Sequence, residues 1–145
     1  MKTLKDWSFA GRDGACLMLD TGGGRRLRIA VLEHDLIRVS LIGRDGWRLN
    51  RSWSVAPDGD TPFEGRSRDD LGGFSCPDFA HQDTPDGLVI DTGTLRLTVR
   101  RPLQLVWQAR MGDDWRVFAT DRPTGKHMAG TGDHAHAHFL RRHPD

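Results

Sequence analysis

Three histidines stand at alternate positions in Asp133-His134-Ala135-His136-Ala137-His138, and imidazole is a ready ligand for zinc or nickel. On an extended strand His134, His136 and His138 share one face. The spacing works against a single metal centre. Alternate residues of a strand lie about 6.5–7 Å apart, whereas ligand nitrogens sit roughly 2 Å from a zinc ion. Two of the three histidines plus a ligand from elsewhere would meet the geometry more easily. A solvated strand is the simpler reading, so neither a metal nor a cofactor is expected.

Paired carboxylates are the next chemistry to ask for, because a retaining glycosidase needs two of them about 5–5.5 Å apart. The acids of this chain fall in turns. Asp13, Asp45, Asp58 and Asp86 each precede a glycine, where an aspartate is expected to cap its own turn, and Asp69-Asp70 and Asp113-Asp114 fall in loops. None has the apolar flanks that raise a carboxyl pKa for acid catalysis. There is no Ser-centred nucleophile elbow, and Gly22-Gly23-Gly24 lacks the Lys-Ser/Thr of a phosphate loop. No residue is therefore assigned a catalytic role.

Tryptophan is more suggestive, with five residues against no tyrosine. Trp47, Trp53, Trp107 and Trp115 could each offer a flat apolar platform to a sugar ring or a protein. Trp107 continues the face of Leu103 and Leu105 and is expected in the core. Trp47 and Trp53 flank the Arg51 loop, are expected to be partly exposed, and are the carbohydrate-contact candidates.

The elements that must position these residues read as strands. Thr94 to Arg100 alternates, with Leu95, Leu97 and Val99 on one face and Arg96, Thr98 and Arg100 on the other. Similar runs are Ala15 to Leu19, Leu27 to Leu32, Leu36 to Ile42, Ser52 to Val55, Leu88 to Ile90, Leu103 to Gln108, Trp115 to Ala119 and His134 to Arg141. Turn dipeptides lie between several of them. No amphipathic helix stands out. Residues 57–87 hold four prolines and few periodic apolar positions, and so predict a long excursion, functional or lying across a sheet. The fold class that follows is all-β: a single antiparallel β-sandwich domain over residues 1–145, each sheet with one face buried and one in water.

Composition sets further limits. A net charge of +1 from 21 basic and 20 acidic residues gives no overall footprint for nucleic acid or an anionic membrane. Only three of the basic residues are lysines, and most of the arginines read as solvated faces with their stems over apolar surface. Cys16 reads as a small core residue and Cys76 as a loop residue, with no disulfide framework or metal-ligand spacing. The first residues lack the apolar run of a signal peptide, and no segment has the apolar length to span a bilayer, so a cytoplasmic location is expected.

One set of segments carries a resemblance across nearly the whole chain. Arg51-Ser52-Trp53-Ser54-Val55-Ala56-Pro57 is followed by Glu64-Gly65-Arg66, Arg68-Asp69-Asp70 and Gly73-Phe74-Ser75-Cys76-Pro77. Then come a hairpin from Asp86 to Val99, a Pro-Leu-Gln-Leu-Val-Trp strand, and a turn-then-tryptophan strand from Gly112 to Val117. Together with Leu36-Ile37-Arg38-Val39, this order resembles the N-terminal region of bacterial α-glucosidases of glycoside hydrolase family 31. The resemblance implies a galactose-mutarotase-like β-sandwich that precedes a (β/α)8 catalytic barrel. The aspartate nucleophile and the acid/base of that family lie on the barrel, so no catalytic residue carries over to this chain. It also implies that residues 1–145 are an incomplete copy of that sandwich, with the barrel of a retaining α-glucosidase as its partner. Cut from a barrel, the chain is expected to self-associate. A stand-alone carbohydrate-binding or protein-interaction module is the alternative.

Overall fold

In the computed structural model the described residues are 6–59, 61–121, 126–129 and 134–137. They form strands and turns, with no helix among them. Strands β1 (Ser8–Asp13), β2 (Cys16–Asp20), β3 (Arg26–Glu33) and β4 (Leu36–Ile42) make one antiparallel meander in the order β1-β2-β3-β4. Two short strands follow, β5 (Arg51–Ser52) and β6 (Arg66–Ser67), paired only with each other. A second meander holds β7 (Ala80–Thr84), β8 (Gly87–Asp91), β9 (Leu95–Arg100), β10 (Gln104–Met111) and β11 (Asp114–Thr120), again with sequence neighbours paired. The last pair is β12 (Lys126–Ala129) with β13 (His134–Ala137).

The alternation in the sequence becomes the core. Leu17, Leu19, Leu27, Ile29, Val31 and Ile37 of the four-stranded sheet pack on Leu88, Ile90, Leu97, Val99 and Leu105 of the five-stranded sheet. Two inner faces interdigitating in this way are a β-sandwich. Trp7 and Phe79 are buried in the same core, and Trp107 packs on it half-buried. The Trp7 indole N–H donates to the Arg100 carbonyl, and the Arg101 guanidinium lies over its ring at 4.4 Å.

Three features depart from the sequence reading. The strand Ser8–Asp13 has too weak an alternation to be seen and is held by pairing with β2. Of the run at 52–55 only Ser52 is strand, in the two-residue β5, because β6 gives it no longer partner. The aspartates that cap turns are Asp20, Asp70 and Asp91, whose carboxylates accept from the N–H of Gly22, Gly72 and Gly93. An aspartate reaches the N–H two residues on, so the capping residue stands two before the glycine rather than next to it.

The sheets also differ from each other. On β3 both faces are buried: Leu27, Ile29 and Val31 inside, Ala30 and Leu32 on the far side. Parts of the connection between β4 and β7 lie across that far side, where Val55, Leu71 and Phe74 pack on Cys16, Ala30 and Leu32. The long excursion is thus a cover, and its last expected stretch, 80–84, is instead an edge strand of the other sheet.

The inner and outer faces of β9 make a direct test. Leu97 is fully buried whereas Thr98 is half-buried on the opposite face. Leu97→Ala should cost about 2–5 kcal/mol in chemical unfolding, and Thr98→Ala no more than about 0.5–1 kcal/mol. Equal costs would contradict this register.

Candidate functional site

The tryptophan candidates belong to the cover, and a single carboxylate organises it. Asp69 accepts from the Trp47 indole N–H at 3.0 and 3.1 Å and from Asn50 Nδ2 at 2.8 Å. It also pairs with Arg28 on β3 at 2.7 Å. The neighbouring Arg68 is held by its own backbone: its N–H donates to the Asn50 carbonyl and side-chain oxygens. Its carbonyl accepts from Arg28 and Arg38. The side chain of Arg68 donates from Nε to the Leu49 carbonyl at 3.1 Å and places its guanidinium 5.6 Å from the Trp47 ring centroid.

These arginines are not the solvated face expected of them. Arg28 also donates to the Cys16 sulfur at 3.2 and 3.4 Å, and its side chain is mostly buried. Arg38 is half-buried, and that burial, together with the neighbouring Arg28 charge, lowers its pKa from the ordinary arginine value. Arg38 keeps its charge all the same, since a guanidinium does not lose its proton in a protein. Two cations from the sheet therefore meet the backbone and one carboxylate of the cover.

Trp53 is set differently. Its indole N–H donates to the Phe63 carbonyl at 3.0 Å, and it is 54% exposed. Its ring lies so close over Gly65 that a Cβ there would stand 2.8 Å from Cε2, and Gly65 has φ +75°. Glycine is needed at that position for both reasons. Arg51 donates to the Gly65 carbonyl at 3.0 Å and Arg66 to the Gly72 carbonyl, while Arg66 also pairs with Asp70 at 2.9 Å. At the end of the cover, Ser75 donates from its N–H and hydroxyl to Glu33, and the Cys76 N–H donates to the Leu32 carbonyl.

Three carboxylates in this region are held below their ordinary pKa by hydrogen bonds and neighbouring charge. Partial burial pushes Asp69 up, but the hydrogen bonds from Trp47 and Asn50 and the Arg28 charge outweigh it and hold the group below its ordinary value. The Gly72 N–H and Arg66 do the same for Asp70, and the Ser75 hydroxyl and N–H for Glu33.

Of the residues singled out in the sequence, Trp47 and Trp53 thus fall in one structural unit, with Trp47 half-buried and Trp53 exposed. Trp115 lies on the outer face of the five-stranded sheet under the Arg96 guanidinium, 4.1 Å from its centroid. The backbone of His134 and His136 lies on β13, where His136 faces His127 of β12 in register. His138 and the side chains of His134 and His136 lie outside the described residues. Among the described residues no group of three or more His, Cys, Asp or Glu could hold a metal ion. No helix among them is long and apolar enough to cross a membrane. Sequence reasoning missed Asp69, Asn50, Arg28 and Arg38, which join only through long-range contacts. The chain matches no family model, no curated protein and no solved structure.

The Asp69 hub gives a pH prediction. A carboxyl whose folded pKa is depressed stabilises the fold fully above its unfolded pKa and loses that contribution as pH falls through the folded value. The loss should therefore come below about pH 4, the ordinary carboxyl range. Asp69→Asn should lower stability at pH 7 by about 1–2 kcal/mol, at the modest end because the side chain is half exposed. It should also flatten the acid limb of the stability profile. An unchanged acid limb in the variant would show that Asp69 is not the group responsible.

Proposed function

We propose that this chain is the non-catalytic N-terminal β-sandwich of a retaining α-glucosidase of glycoside hydrolase family 31, galactose-mutarotase-like in fold. It packs on a (β/α)8 barrel and shapes access to the substrate. The observation that supports this reading is what the resembling segments do. Gly65, Arg66, Asp69, Asp70, Phe74 and Cys76 are all occupied in holding one rigid cover. Such residues build a surface and leave acid–base chemistry to another part of the protein.

That surface ends in aromatic side chains. Phe63 is 97% exposed and Trp53, bonded to its carbonyl, is 54% exposed. Exposed rings on a hydrogen-bonded frame are what a neighbouring domain covers. The same exposure favours the second reading, a carbohydrate-binding module in which Trp53 stacks on a sugar.

An antibody raised against the chain should deplete aryl-α-glucosidase activity from an extract of the source cells, while the purified chain itself shows no turnover. Depletion of a 16.3 kDa species alone, with the activity untouched, would overturn the proposal. Turnover by the pure chain that one Asp→Asn change abolishes would overturn it equally. The purified chain should also self-associate in light scattering across a concentration series, and Phe63→Ser should reduce it. A Trp53-dependent response to maltose in a strict monomer would favour the second reading.

A further inference from the structure

Two adjoining hollows of about 630 and 650 Å³ meet at the Trp47 ring, at the end of the four-stranded sheet. Their walls come from the turn after β2, the turn after β4 and the cover. Arg25, Arg44, Arg48 and Arg68 line them together with Trp47, and Asp45 is the only acid in the lining. Even with Arg48 set aside, the guanidinium groups of Arg25, Arg44 and Arg68 stand against one lining carboxylate, a local excess in a chain whose net charge is +1. Crowding like charges raises the local potential.

Part of the wall is held in place by contacts within the fold. The Trp47 indole is fixed by Asp69, and Arg68 by Asn50 and the Leu49 carbonyl. Gly24 lets the stem of Arg44 lie against the turn, since a Cβ there would stand 3.2 Å from Arg44 Cγ. The guanidinium groups of Arg25 and Arg44 make no hydrogen bond or ion pair among the described residues. Their forked donors therefore remain open to an anion.

We infer that this hollow binds a phosphate monoester of a small ring compound, a sugar phosphate being the fitting class. Arginine forks match phosphate oxygens in bidentate pairs, and a dianion answers several guanidinium groups better than a single carboxylate does. The indole N–H of Trp47 is already spent on Asp69, so this residue offers the ring itself, an apolar wall for the C–H face of a sugar. The volume falls within the range of small-molecule sites, roughly 300–1,000 Å³. The inference rests on the sandwich's own side chains and stands whether or not the chain belongs to a glucosidase.

Calorimetric titration of the chain with glucose 6-phosphate, glucose, glucuronate and inorganic phosphate tests it, with the Trp47 indole N–H resonance as the reporter of place. Glucose 6-phosphate should saturate and move that resonance, glucose should not bind, and inorganic phosphate and glucuronate should each bind about tenfold more weakly. The affinity should fall as salt is raised. The double change Arg25→Gln, Arg44→Gln should weaken binding by about tenfold or more with the melting temperature unchanged, and Arg44→Lys should retain part of it. If the double variant is unstable, Arg25→Gln alone carries the same comparison. Equal binding of glucose and glucose 6-phosphate, no saturation up to about 10 mM, or undiminished binding by a folded variant would each overturn the inference. So would a response to an acidic peptide without one to any phosphate ester, which would assign the hollow to a protein partner.

Discussion

A strand that is apolar on both faces has to be covered twice, and β3 is such a strand. Its inner residues are covered by the opposite sheet, as in any sandwich. Ala30 and Leu32 on the other face would meet water if the four-stranded sheet ended there. The chain meets this demand with Val55, Leu71 and Phe74 of the connection between the two meanders, where a long connection interrupts neither ladder. The character of the whole surface follows from that second cover.

A cover without long strands has few backbone ladders to hold it, so side chains supply the links. Arg28 and Arg38 reach from the sheet to the backbone and carboxylate at Arg68 and Asp69, and Asp69 gathers Trp47 and Asn50. Half-buried guanidinium groups are costly to desolvate, and several charge-assisted bonds to fixed acceptors offset that cost. The same links leave Trp47 and Arg68 facing outward in fixed positions. The hub that secures the fold therefore also shapes the hollow beside it, which ties the surface chemistry to the packing below.

The cover and the hollow assign different tasks to the same segment. The rings of Phe63 and Trp53 suit a neighbouring domain or a sugar, whereas the arginine-lined hollow suits an anion. The two surfaces share no side chain: Trp53 and Phe63 carry one, while Arg25, Arg44, Trp47, Arg48 and Arg68 line the other.

The sequence by itself determined the strands whose periodicity is strong. Leu36 to Ile42 and Thr94 to Arg100 fall almost where alternation places them, because side chains on a strand alternate by local geometry alone. It also determined that the chain is all-β, and it marked Trp53 as an exposed ring. Tertiary structure decided the rest. Ser8–Asp13 is a strand because β2 offers it a partner, and Ser54-Val55 is not because none is offered. Asp69 reads as a loop acid until Arg28, 41 positions away, is brought beside it. Arg28 of β3 and Arg38 of β4 read as solvated until the cover lies over them. Local patterns carry the period of a strand, but charge pairing across a fold depends on distances in space that no local pattern records.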